Sequence, residues 1–169
     1  MAIFENWSIL IWQNFSIPHI PIESTCTVWK GKRYCFFHEK KTWNGARDFC
    51  RKVGSNLLEP KTEDANNHVT EASNERNISQ FWIGVSDLQK ESEFRYDSNG
   101  QKITWENWRS SQPNDNEGGE DCTSVGVTLT SNSNGRGSLS IKSTEAGTWY
   151  DQKCSFTKAF VCETKGNIS

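Results

Sequence analysis

Thr42-Trp43-Asn44-Gly45-Ala46-Arg47-Asp48-Phe49-Cys50-Arg51-Lys52-Val53-Gly54-Ser55-Asn56-Leu57-Leu58 is the stretch on which the fold turns. Trp43, Ala46, Phe49, Cys50 and Val53 share one face at helical spacing, which predicts an amphipathic helix over about Trp43–Val53. Thr42 suits the N-cap because its hydroxyl accepts from an otherwise unpaired amide. Gly54 suits the stop because it tolerates left-handed backbone. Leu57-Leu58 is apolar, and Pro60-Lys61-Thr62 leads to a second start signal. Thr62, with Glu63-Asp64 in the first turn and Ala65 and Val69 behind, reads as a second capped helix with its acids at the positive end of the dipole.

Outward from these helices the texture is strand-like. Upstream, Cys26–Cys35 reads as a hairpin turning near Lys30-Gly31-Lys32, and Phe36-Phe37-His38 continues its second strand. Downstream, Phe81-Trp82-Ile83-Gly84-Val85 has the character of a buried strand. Phe94–Tyr96 and Lys102–Trp105, separated by Asp97-Ser98-Asn99-Gly100, form a hairpin pattern. Cys122–Thr130, Gly147–Trp149 and Ala159–Cys162 are further strand candidates, and Ser131–Ser138 is an insertion by composition. Two helices followed by short strands predict an α+β domain.

The chain has 169 residues and a net charge of −2, which suits one domain with short extensions. Only 34% of the residues are hydrophobic, but eight Trp, nine Phe and three Tyr supply core area and argue against disorder. Nineteen basic against 21 acidic residues exclude the basic excess of a nucleic-acid binder. No run of about 18 apolar residues exists to form a membrane span.

Six cysteines stand at Cys26, Cys35, Cys50, Cys122, Cys154 and Cys162. The even count without a Cys-x-x-Cys pair favours three disulfides over a zinc site, and about 15 pairings are open from the count alone. Disulfides place the chain in an oxidising, extracellular setting, so it reads as secreted. Residues 1–25 are a leader or N-terminal extension, although no Lys or Arg precedes Lys30 and the apolar run Ile9–Trp12 is short. Asn-x-Ser sequons at Asn6, Asn14, Asn77 and Asn167 fit a secreted glycoprotein.

An enzyme is not expected. His19, His38 and His68 fall in no catalytic motif, His68 is placed on the polar side of its helix, and paired cysteines leave no thiolate. The chemically distinctive segment is Gln112-Pro113-Asn114-Asp115-Asn116-Glu117-Gly118-Gly119-Glu120-Asp121-Cys122. It gathers carboxylate and carboxamide oxygens around glycines, and calcium takes about six to eight such hard oxygens. Pro113 suits an unusual turn, with a cis bond as one route to it.

Together these pieces resemble the C-type lectin-like domain over about Cys26 to Glu163. The residues that carry the resemblance are Trp43-x-x-Ala46-x-x-x-Cys50-x-x-x-Gly54-x-x-Leu57, Trp82-Ile83-Gly84, Gly119-Glu120-Asp121-Cys122, Trp149-x-Asp151-x-x-Cys154 and Phe160-Val161-Cys162. The resemblance implies a 26–163 domain with a 164–169 tail and two helices flanking small antiparallel sheets. It also implies a long calcium-binding loop region and disulfides Cys26–Cys35, Cys50–Cys162 and Cys122–Cys154. Trp82 and Trp149 then become core residues.

The resemblance further implies a calcium ion (Ca2+) that contacts vicinal sugar hydroxyls. Its positions fall on Gln112, Asn114, Glu120, Tyr150 and Asp151. Tyr150 stands where the family carries an amide ligand. Gln112-Pro113-Asn114 mixes the triplets of mannose-like and galactose-like binders, so both glycan classes stay open. An auxiliary calcium set falls on Asp87, Glu91, Asp115, Glu120 and Asp121. Calcium-dependent carbohydrate binding is the leading expectation. The alternative is a lectin-like scaffold that binds protein, mineral or ice without sugar, favoured by Tyr150 and the long span between Cys122 and Cys154.

Overall fold

The computed structural model describes residues 25–116, 118–127 and 145–165. The expected leader before Thr25, the Ser131–Ser138 insertion, Glu117 and the sequons at Asn6, Asn14 and Asn167 lie outside the described residues. Strands β1 (Thr25–Trp29) and β2 (Lys32–Lys41) are followed by helix α1 (Trp43–Lys52), β3 (Asn56–Leu57) and helix α2 (Glu63–Glu75). Strands β4 (Gln80–Ser86), β5 (Arg95–Tyr96), β6 (Cys122–Gly126), β7 (Trp149–Gln152) and β8 (Lys158–Lys165) complete the chain.

Both helices start and stop as their sequence dictates. Thr42 accepts a hydrogen bond from the Gly45 amide at 3.2 Å, and Thr62 accepts one from Ala65 at 3.2 Å. At the end of α1 the Gly54 amide donates to Arg51 O and the Ser55 amide to Cys50 O. This paired closure needs a left-handed residue at Gly54, whose φ is +73°. Val53 caps α1 rather than extending it.

The sheet runs β1-β2-β8-β4-β6-β7, with β3 on β8 and β5 on β4. All pairings are antiparallel except β4 with β8, which runs parallel and makes this one mixed sheet. Strand β6 covers Cys122–Gly126 of the expected Cys122–Thr130, Val127 follows outside it and Thr128–Thr130 lie outside the described residues; β7 begins at Trp149 rather than Gly147. The expected hairpin after Phe94 is reduced to β5 and a single bridge from Arg95 to Lys102. Strand β8 continues to Lys165, past the expected domain boundary at Glu163.

The core lies on both sides of this sheet. One cluster centres on Phe36, Val69, Ile83 and Trp149 toward α2, the other on Phe37, Trp43, Trp82 and Phe160 toward α1. A buried indole N–H costs free energy unless paired, and three tryptophans solve this in the same way. Trp43 donates to Ile83 O at 2.8 Å, Trp82 to Lys41 O at 2.9 Å and Trp149 to Asn66 Oδ1 at 2.9 Å. Gly84 is required sterically, because a Cβ there would stand 2.7 Å from Leu57 O. His68 differs from its expected polar placement. It is half-buried and stacks on Trp29 at 4.8 Å, because α2 lies against the β1–β2 hairpin.

The disulfides are Cys26–Cys35, Cys50–Cys162 and Cys122–Cys154. Their sequence separations are 9, 112 and 32 residues. Chain-entropy arguments then predict unequal contributions. Replacing Cys50 and Cys162 by Ala should cost about 5 kcal/mol, against about 3 kcal/mol for Cys26 and Cys35. Denaturant melts of the two double variants measure the difference, and non-reducing peptide mapping checks the pairings themselves.

Candidate functional site

The 112–121 loop is tied to the sheet through β7. Strand β7 places Trp149 in the core and Asp151 opposite Thr123 on β6. The Cys122–Cys154 bridge joins the start of β6 to the turn after β7. Asp151 is only 2% exposed. Its Oδ2 accepts from the amides of both Asn114 and Asp115, each at 2.7 Å, and its own amide donates to Gln112 Oε1 at 3.2 Å. Short amide bonds to a carboxylate are charge-assisted and stronger than neutral ones. The Gln112–Pro113 peptide bond in this loop is cis.

The rest of the loop closes on itself. Asp115 takes φ +42° and its Oδ1 accepts from the Glu120 amide at 3.0 Å. The Asn116 amide donates to Glu120 Oε2 at 3.0 Å and to Asn114 Oδ1 at 3.1 Å. Gly118 and Gly119 both take positive φ, which lets the chain reverse between Asp115 and Glu120. Side-chain oxygens of five expected ligands, Gln112, Asn114, Asp115 and Glu120 of the loop and Asp151 of β7, therefore share one hydrogen-bonded network.

The auxiliary positions lie alongside. The Asp87 amide donates to Asp121 O at 3.1 Å, which joins the end of β4 to the end of the loop. Asp87 Oδ2 accepts from the Ser92 amide at 2.9 Å. Burial pushes the Asp87 carboxyl up to about 6, opposed by the Ser92 bond and reinforced by the charges of Glu91 and Asp121. Glu91 itself is exposed on the same turn, and its Oε1 accepts from the Ser92 hydroxyl.

Tyr150 is placed elsewhere. Neighbouring strand residues face opposite ways, and the Tyr150 ring rests over Gly126, where a Cβ would meet it at 2.9 Å. The Arg109 guanidinium stands 5.5 Å from the ring centre and is paired with Glu145 at 2.9 Å. Tyr150 borders a cavity of about 330 Å³ shared with Ser79, Gln80 and Gln152, apart from the side chains around Asp151. Arg109 and Glu145 were not legible as its partners, because nothing in their local sequence signals a contact across 36 residues.

Fit to a hard cation rests on the donor set. Among the described residues no three His, Cys, Asp or Glu side chains converge into a cation cage, because the loop carboxylates are turned onto backbone amides. Two carboxylate oxygens nevertheless remain buried without a hydrogen-bond partner, Asp87 Oδ1 and Asp151 Oδ1. A buried anionic oxygen without a partner is costly, and either a proton or a bound cation removes the cost. All the surrounding donors are hard oxygens, as calcium prefers.

The profile described as Lectin C-type domain matches residues 39–164. The chain belongs to the C-type lectin domain family. Domains of this family and fold are binding modules rather than enzymes. Salivary C-type lectin 2 of Aedes albopictus is 31% identical over 140 residues, covering 79% of this chain and 83% of that protein. Collectin-10 of Xenopus tropicalis is 29% identical over 132 residues, covering 78% of this chain. The chain spans 42% of that collectin's length. The mouse scavenger receptor C-type lectin carbohydrate-recognition domain shares the fold, with TM-score 0.69 and 23% identity. That match covers 89% of this chain and 99% of that one. Within this C-type lectin domain, Asp151 is the structural link between loop and sheet. Asp151→Ala should cost about 3 kcal/mol, the scale of two charge-assisted hydrogen bonds. Hydrogen exchange should rise at the Asn114 and Asp115 amides while the β2 and β8 amides stay protected.

Proposed function

We propose that this domain is a secreted, calcium-dependent carbohydrate-binding module whose metal and sugar share the 112–121 loop. The observation that carries the reading is the assembly of Gln112, Asn114, Asp115 and Glu120 around Asp151, whose Oδ1 lacks a partner. Bound calcium would supply a Lewis-acidic centre for two vicinal hydroxyls of a mannose-like or galactose-like sugar. The chain's own residues do the rest. The Asn114 carboxamide would donate to a sugar hydroxyl, the ionised Glu120 carboxylate would accept from one, and Asp151 fixes the backbone that carries Asn114. Asp87, Glu91, Asp115, Glu120 and Asp121 would hold the auxiliary ion once the Asp115 and Glu120 carboxylates turn from the amides they accept from, and the ion would relieve the repulsion around Asp87. Collectins and salivary lectins among its relatives support this reading, as do the three disulfides for secretion.

The second reading, a scaffold that binds protein, mineral or ice, is favoured by Tyr150. Its ring is engaged with Gly126 and Arg109, so the position offers no amide oxygen to the loop.

Mannose and galactose resins separate the two readings. Retention in about millimolar calcium and release by chelator support the lectin. Passage through both resins at every calcium concentration supports the scaffold. Glu120→Gln removes one charge from both proposed ion sites, and should weaken calcium binding by about tenfold, or about 1.4 kcal/mol. Calorimetric titration with calcium measures it, and Asp151→Asn serves as the comparison that alters one site.

A further inference from the structure

Asn77-Ile78-Ser79 is the Asn-x-Ser sequence that falls among the described residues, and its geometry singles it out. Arg76 caps α2, and Asn77 follows in left-handed backbone with φ +57°. Asn is among the few residues other than Gly that adopt this conformation readily. The turn is pinned from beneath. The Asn77 amide donates to Asn74 O at 2.9 Å, and the Ile78 amide to Ser73 O at 3.0 Å. Ile78 is 3% exposed within the core, whereas Asn77 and Ser79 on either side are exposed.

We infer that Asn77 carries an N-linked glycan, and that the glycan stands at the end of the sheet opposite the 112–121 loop. The inference rests on the reading that the chain enters the secretory route. A large polar substituent is accommodated only where the asparagine leaves the packed surface and its neighbours need no repacking. Anchoring through Ile78 meets both conditions. The placement follows from the strand register. Gln80 pairs with Gly126 at one end of β4, and Ser86 with Cys122 at the other. Asn77 precedes the first end, while Asp87 and Asp121 meet at the second. The length of β4 puts about 20 Å between them. A glycan at Asn77 therefore does not crowd the loop of its own chain.

The modification is a substitution at the sugar's anomeric carbon. The Asn77 side-chain nitrogen forms a bond to that carbon and releases one proton, which passes to solvent. The carbon's bond to a polyprenyl pyrophosphate breaks, and the pyrophosphate leaves with the bonding electrons. The donor is an oligosaccharide linked to polyprenyl pyrophosphate.

The test imposes entry by placing a cleavable secretion signal before Met1 of the full chain, which keeps Thr25 and its bond from Arg76, and expressing it in insect cells. Total translocated protein is digested with peptide N-glycosidase in heavy-oxygen water, then with trypsin. The peptide beginning at Asn77 is read by mass spectrometry. Conversion of Asn77 to Asp with heavy oxygen in most molecules is the expected result, and its loss in Ser79→Ala confirms the sequon. Ser79→Ala leaves the left-handed Asn77 untouched, and reading the total pool keeps an export defect from hiding the result. Unmodified Asn77 in translocated wild type overturns the inference without bearing on secretion. The full chain without the added signal tests secretion separately.

Discussion

The Asp151 carboxylate, buried beneath the loop and bonded to two successive amides, is the constraint on which the functional end of this domain depends. Strand β7 cannot move Asp151 without moving Trp149, which is buried and bonded to Asn66 on α2. It cannot slide along β6 without breaking the pairing of Thr123 with Asp151, and Thr123 directly follows Cys122 of the Cys122–Cys154 bridge. The core thus fixes one carboxylate, and that carboxylate fixes the backbone of Asn114 and Asp115. The loop has no period of its own, so its shape comes from hydrogen bonds that converge on this point.

Loop and sheet answer different physical demands. The sheet and helices are held by apolar burial and by three disulfides that constrain the unfolded chain. The loop concentrates acids that repel one another, and it spreads them by turning Asp115 and Glu120 onto amides. Asp87 remains the least compensated, pushed up by burial and by its acidic neighbours. In a module built this way an ion bound at the loop would act on the loop while the disulfide-stapled sheet keeps its fold.

Much of the scaffold was legible in the sequence because local chemistry decides it. Thr42, Gly54 and Thr62 act as caps through contacts with residues at most three positions away. Trp82 and Trp149 became core residues through the family resemblance, and the structure buries both. The positions around the loop were legible as a set of oxygen donors, but their directions were not. That Asp151 bonds Asn114, and that Tyr150 turns to Gly126 and Arg109, depends on the register of β7 against β6. Register is a tertiary property, and one position along a strand reverses the face. His68 was misplaced for a related reason. Its helix packs a second face against the β1–β2 hairpin, which the apolar spacing of α2 alone does not reveal.

We propose that calcium organises the 112–121 loop, whose backbone is anchored on Asp151. Amide-resolved nuclear magnetic resonance of isotope-labelled protein during a calcium titration tests it most directly. Saturable shifts are expected at the Asn114, Asp115, Asn116 and Glu120 amides by about millimolar calcium. Unmoved signals are expected along β2 and β8. Loop amides that stay fixed throughout the titration, or shifts confined to other parts of the surface, would contradict it.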